Sequence, residues 1–244
     1  MKVGVITGTG TYELDALAAE GIELVHVSRH EPGHRRLSNQ VDHRGNVERL
    51  RAEGVDAIVA VTVCGAVDPT VPLGSLIVFD DLHFLANRFA DGSICTLYDA
   101  PGDPRRGHWI YERPFAEGVR QALLAGSREA GVPAREGGCY GHVDGPRFNT
   151  AAEIRSLALA GVTAVSQTAG PETVLAGEAE IPYALLGYAT DYANGVTEEP
   201  TPVDELVRLI GASGATFQSV LAKALPLLRE ADLTPPGTIY RFAR

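Results

Sequence analysis

Five nearly continuous apolar runs, separated by stretches of helical pattern, limit this chain to very few folds. The runs are Lys2–Ile6, Ala57–Val63, Ser75–Phe79, Thr163–Gln167 and Tyr183–Ala189. A strand with one wet face alternates apolar and polar residues; a strand without alternation is covered on both faces. Between the runs lie helical patterns. Asn39–Gly54 and Phe115–Gly131 each stop at a glycine, a residue that readily takes the left-handed conformation closing a helix. Asn149–Gly161 carries Thr150 and Glu153 at capping-box spacing. A last helix opens with Thr201 as N-cap and Pro202 at its first position. No internal repeat or linker interrupts the series. The alternation predicts an α/β fold: a single domain over residues 1–244, with a central mixed, largely buried β-sheet flanked by helices.

Charge narrows the partners. Acidic residues outnumber basic ones 31 to 21, for a net charge of -10. Such a chain repels polyanions, so no nucleic-acid partner is expected. No apolar run reaches the roughly 18 residues of a membrane span, and "MKVGVITGTG" lacks the pattern of a signal peptide. Cys64, Cys95 and Cys139 are odd in number and dispersed, which fits neither a disulfide framework nor a zinc site. The expectation is a cytoplasmic protein with reduced thiols and no membrane partner.

One segment runs against the acidic average. Ser28–Arg36 holds Arg29, Arg35, Arg36, His30 and His34 within nine residues, and His26, His30 and His34 recur every four. On a helix that spacing would gather three imidazoles for a metal, but Pro32 and Gly33 break a helix, and Ile22–Val27 reads as a strand running into a loop. Two readings remain: solvated loop charges, or a site for one small anion, with the Arg29 fork and His30 as donors.

Other signals sit where ligands bind in open α/β sheets, beyond the carboxyl ends of the strands. The loops there are Thr7–Thr11, Thr62–Ala66, Thr168–Pro171 and Thr190–Asn194. "TGTGTYE" fails as a dinucleotide fingerprint, because Glu13 stands in place of the third glycine and would repel a pyrophosphate. A Gly-Thr-Gly turn can still offer amides and a hydroxyl to one phosphate, or be only a tight turn. In "YGHVDGPRF", a lone Phe148 is most often core; the alternative is a platform for a planar ligand. Asp191, at the end of an apolar strand, is either a turn former or, partly buried, an acid with a raised pKa.

Taken in order, these pieces resemble the trimeric purine nucleoside phosphorylases, and most of all their methylthioadenosine phosphorylase branch. The matching stretches are Thr7–Gly10, Arg29–His34, Val61–Val67, His108–Phe115, Gly145–Phe148, Thr168–Ala184 and Ala189–Ala193. The resemblance implies reversible phosphorolysis: phosphate attacks the anomeric carbon of a purine nucleoside, releasing base and a sugar 1-phosphate. Phosphate is then a co-substrate, and no metal or organic cofactor is used. By the same resemblance, Thr9, Arg29, His30, Thr62, the Val63 backbone and Thr168 hold phosphate. Phe148 packs on the base, Gln167 lies at the ribose, and Asp191 protonates the leaving purine. His108 reaches into a neighbouring subunit's pocket for the 5′ group, which implies a homotrimer or a dimer of trimers.

The chain departs from the family at several positions. Thr7 replaces a glycine, Gln167 a methionine, and Ala193 a second acid that the branch carries after Asp191. Only eighteen residues separate Gly10 from Arg29, too few for a hairpin usual there. Asp191 points to a 6-aminopurine, hence 5′-methylthioadenosine or another 5′-modified adenine nucleoside. The alternatives are a general phosphorylase for inosine, guanosine and adenosine, a hydrolase, and a non-catalytic nucleoside-binding homologue.

Overall fold

The computed structural model describes residues 1–12 and 21–242. Glu13 and most of the shortened connection after Gly10 lie outside the described residues. The strands are β1 Lys2–Thr7, β2 Glu23–Ser28, β3 Ala57–Ala66, β4 Leu76–Val78, β5 Asp81–His83, β6 His108–Ile110, β7 Ala134–Glu136, β8 Cys139–His142, β9 Val162–Ser166, β10 Tyr183–Tyr192 and β11 Thr238–Tyr240. The helices are α1 His43–Ala52, α2 Glu117–Glu129, α3 Ala151–Leu159, α4 Ala169–Glu178 and α5 Val203–Leu227.

Among the described residues, nine strands form one mixed sheet in the order β5-β8-β9-β3-β10-β4-β7, with β1 joining β3 and carrying β2. The β3–β9 and β10–β4 pairs are antiparallel; the others in this sheet are parallel. The predicted α/β class and mixed, buried sheet are therefore what forms. β3 shows why its sequence does not alternate. Ala57, Val59 and Val61 pack with Val119 and Leu123 of α2 and Phe217 and Leu221 of α5 on one face. Ile58, Ala60 and Cys64 pack with Leu50 of α1 and Ala169 and Ala176 of α4 on the other.

The sheet forks at β3. β1 accompanies it from Ala57 to Ala60, and β9 joins the sheet at Gly65 and Ala66. Among the described residues, β3 between these points pairs with β10 alone. Val61, Thr62, Val63 and Cys64 thus border a crevice between diverging strands, the place where open α/β sheets receive ligands.

Several local expectations shift. Thr62–Ala66 and Thr190–Tyr192 belong to strands, not loops, because the β3–β10 ladder runs on to Ala66 and Tyr192. Ala169–Pro171 is the first turn of α4, where proline's missing N–H is tolerated. α1 begins at His43, after Asp42, whose side chain accepts the Gly45 N–H. Val203 opens α5, and Thr201 is not its cap: its hydroxyl accepts the Tyr192 N–H at 2.9 Å and ties α5 to β10. The Thr150–Glu153 capping box forms as expected, a motif whose loss costs about 1 kcal/mol. Among the described residues no helix is long and apolar enough to cross a membrane.

Candidate active site

A cavity of about 290 Å³ opens at the fork of the sheet. Thr9, Arg29, His30, Thr62, Val63 and Thr168 line one end. Phe148, Gln167 and Asp191 line it as well. Of the phosphate, base, ribose and 5′-group residues that the resemblance implied, His108 does not border it. It lies on β6, paired with β11 in a separate two-stranded sheet, and meets Phe242 edge to face.

The Gly-Thr-Gly turn owes its shape to two glycines. The Thr11 N–H closes a turn onto the Gly8 carbonyl at 2.9 Å. Gly10 takes φ +80, and a Cβ there would strike the Ile210 carbonyl and the Ser213 hydroxyl at 2.6 Å, so α5 seats directly on the turn. A Cβ on Gly8 would lie 2.6 Å from Arg29 Nη1. Thr7, a departure from the family, points elsewhere: its hydroxyl pairs with His26 Nε2 at 2.8 Å.

Arg29 is buried beneath the cavity. Its Nε and Nη2 donate to Glu172 Oε1 and Oε2 at 2.6 and 2.8 Å, and Nη1 donates to the Val61 carbonyl at 2.7 Å. Burial alone would push the Glu172 carboxyl up; the Arg29 charge overrides it and holds the group at about 2. Sequence reasoning missed Glu172. The signal was there: a lone carboxylate in the apolar stretch "AGPETVLAG" needs a buried partner.

His30 follows Arg29 into the cavity wall. Its Nδ1 lies 2.8 Å from the Arg36 carbonyl, which only accepts, so Nδ1 carries the proton of the neutral ring. Burial, then the Arg29 charge, lower its pKa to about 4. His30 was expected as a donor; in its neutral form Nε2 is an acceptor instead. It stacks on His34 with centroids 4.2 Å apart, while His26 bonds Thr7. The three histidines therefore do not converge on one point.

Hydroxyls complete this end. Thr62 Oγ1 lies 3.1 Å from Ser166 Oγ, linking β3 to β9 across the crevice. Thr168 precedes α4 and makes no side-chain cap. The Tyr140 hydroxyl accepts the Ala169 N–H at 3.1 Å and lies under the same turn.

The opposite end is more apolar. Phe148 is 60% exposed, so it is not core; it overhangs the cavity. Asp191 is largely buried, and burial raises its pKa while a 2.8 Å bond from Thr190 Oγ1 opposes the rise. Ala193 lines the same wall. Gln167 is occupied by the protein. Its Oε1 accepts from Ser38 Oγ at 2.8 Å, and its Nε2 donates to the Arg147 carbonyl at 3.1 Å. Leu37, Leu206 and Ile210 close the remaining flank.

The profile of the Phosphorylase superfamily matches residues 37–226. The chain belongs to this superfamily. Among curated relatives, the 6-oxopurine nucleoside phosphorylase of Pyrococcus furiosus is 30% identical over 211 residues, 84% of this chain and 78% of that protein. The S-methyl-5'-thioadenosine phosphorylase of Geobacter sulfurreducens is 27% identical and aligns over 99% of this chain and 90% of its own. Among solved structures, a methylthioadenosine phosphorylase from Schistosoma mansoni in complex with adenine superposes with a TM-score of 0.82 at 24% identity, covering 95% of this chain and 92% of that one. This superfamily member therefore shares its fold with that structure.

Proposed function

We propose that this phosphorylase-superfamily chain catalyses reversible phosphorolysis of a purine nucleoside, releasing free purine and a ribose 1-phosphate. The observation that carries the reading is one cavity with two unlike ends: hydroxyls and a guanidinium at one, an exposed aromatic ring and a partly buried carboxyl at the other. The names of the relatives from Pyrococcus furiosus and Geobacter sulfurreducens support the same reaction.

Phosphate would sit among Thr9, Arg29, His30, Thr62, the Val63 backbone and Thr168. Monohydrogen phosphate brings one P–OH, which suits the free acceptor at His30 Nε2. The purine would lie under Phe148. As the glycosidic bond breaks, the sugar gains oxocarbenium character and the base gains negative charge. Phosphate beside the sugar stabilises the first and is aligned for attack; a proton from Asp191 relieves the second. The raised pKa of Asp191 supports that role, since it increases the protonated fraction near neutrality. Phosphate serves as co-substrate, and the chemistry asks for no metal or organic cofactor.

The favoured substrate is 5′-methylthioadenosine or another 5′-modified adenine nucleoside. Asp191 supports the adenine base, and the apolar flank of Leu37, Leu206 and Ile210 suits a 5′ group without a charge. A 6-oxopurine phosphorylase is the second reading; Ala193, with no second acid, favours it. A homotrimer, or a dimer of trimers, would bring His108 to a neighbour's cavity. Exposed Ile110, Tyr240 and Phe242 on or beside the β6–β11 ribbon support such a contact. The free thiols of Cys64, Cys95 and Cys139 support a cytoplasmic setting.

The test is base release from methylthioadenosine, adenosine, inosine and 5′-deoxyadenosine, each with and without phosphate. Phosphate-dependent release of adenine is expected. Release without phosphate would make the protein a hydrolase, and no release with any substrate would make it a binding protein.

A further inference from the structure

Among the described residues lining the cavity, Arg29 is the one permanently charged cation, and its charge is already answered. Glu172 takes Nε and Nη2, and the Val61 carbonyl takes Nη1. A guanidinium has five N–H groups; one on Nη1 and one on Nη2 stay free for an anion. Glu172 is itself completely buried, with the Tyr183 hydroxyl donating to its Oε2 at 3.2 Å and His43 Nδ1 at 3.7 Å from Oε1. With Arg29 and His30 the cavity lining holds the uncharged Thr9, Thr62, Ser166 and Thr168, and His34, which stacks on His30. Donors therefore abound at this end, while permanent charge sums to zero.

We infer that Glu172 is a positioning residue for phosphorolysis: it fixes the Arg29 fork and cancels its charge, so that phosphate is held by hydrogen bonds with its own negative charge left intact. This inference rests on the phosphorylase reading above. Its consequence lies in the transition state. The charge of phosphate is most useful against the developing sugar cation. A bare guanidinium would hold phosphate more tightly in the ground state and blunt that attraction. Tighter ground-state binding of this kind does not raise turnover.

The variant Glu172→Gln keeps the size and one acceptor and removes the charge. Its phosphate KM is expected to fall by about 3- to 10-fold, while kcat falls by about tenfold or more. A purely structural role predicts the opposite for binding: a loosened Arg29 raises the phosphate KM. A raised KM with unchanged kcat in a folded variant overturns the inference. Should Glu172→Gln fail to fold, the wild-type enzyme carries the test through its phosphate KM from low to high inert salt. An uncharged cradle predicts a change of less than about twofold, since there is little attraction to screen. A rise of about tenfold would mean an unbalanced cation and overturn the inference. Wild-type turnover with phosphate is the control. Its absence removes the phosphorylase reading, whereas turnover with either overturning result removes only the role of Glu172.

Discussion

Asp191 stands opposite Gly65 in the β3–β10 ladder, and the space over Gly65 belongs to the Asp191 carboxyl: a Cβ there would lie 3.1 Å from Oδ2. The ladder pairs Ala189 with Cys64 and then Asp191 with Gly65, leaving Thr190 as an extra residue. Bulges of this kind re-aim side chains. Here Thr190 and Asp191 both reach the cavity, with the Thr190 hydroxyl donating to Asp191 Oδ1.

If Asp191 delivers the proton to the leaving purine, Asp191→Ala lowers kcat by about 10²- to 10⁴-fold, the usual size of a general-acid contribution. Gly65→Ala is a milder probe that presses on the same carboxyl without removing it, with an intermediate loss expected. Both are read from initial rates of base release. Normal turnover in Asp191→Ala would remove the proton-donor role.

Arg29→Ala is expected to raise the phosphate requirement sharply, and to cost stability as well. It strands Glu172, a fully buried carboxylate whose pKa is held down first by this guanidinium and then by His43. Breaking such a pair from one side costs about 3–5 kcal/mol. Phosphate KM and Tm are therefore expected to change together. A variant with unchanged Tm would mean that water or another group reaches Glu172.

How much of this was legible in the sequence depends on the length over which a signal repeats. β3 and β10 announce themselves through unbroken apolar runs, and Thr150 with Glu153 announces α3. β5, β6, β7 and β8 span three or four residues each, too few for a periodicity to register. α4 was hidden by Gly170 and Pro171, both helix breakers except in a first turn. Residue types suited to phosphate could be picked out singly, and the family order joined them. The tautomer of His30 could not be read, because it is set by the Arg36 carbonyl, a backbone atom placed by the turn through Gly33 and His34. Nor could the partner of Arg29, which lies 143 residues away in Glu172.

Gln167 lines the cavity, and its amide also joins Ser38 to the Arg147 carbonyl beside Phe148. Gly145 is required there, since a Cβ would fall 2.1 Å from both the Gln167 Oε1 and the Ser38 Oγ. Gln167→Met removes both bonds and keeps the bulk. The expected result is a nucleoside KM raised by up to about 30-fold, the equivalent of two lost hydrogen bonds of about 1 kcal/mol each, with phosphate KM little changed. An equal loss in both KM values would mean that Gln167 serves the whole cavity and not the Phe148 loop.

Acid should destabilise the fold earlier than its carboxylates alone would dictate. Burial, then the nearby His43, lower His142 to about 3, and burial with the Arg29 charge lowers His30 to about 4. Both rings stay neutral in the native state while the unfolded chain protonates them near 6.5. The unfolded state therefore binds more protons below that pH, and stability falls as pH drops from about 6.5 towards 4. Glu172 adds a loss in the same direction at lower pH: its contribution is complete above its ordinary 4.5 and disappears as pH falls towards about 2. At about 1.4 kcal/mol per unit, His142 alone is worth several kcal/mol across its window. Tm measured from pH 7.5 downward is expected to begin falling near 6.5, and His142→Gln is expected to flatten that fall. A wild-type Tm constant down to pH 5 would mean that His142 accepts its proton in place, at no cost to the fold.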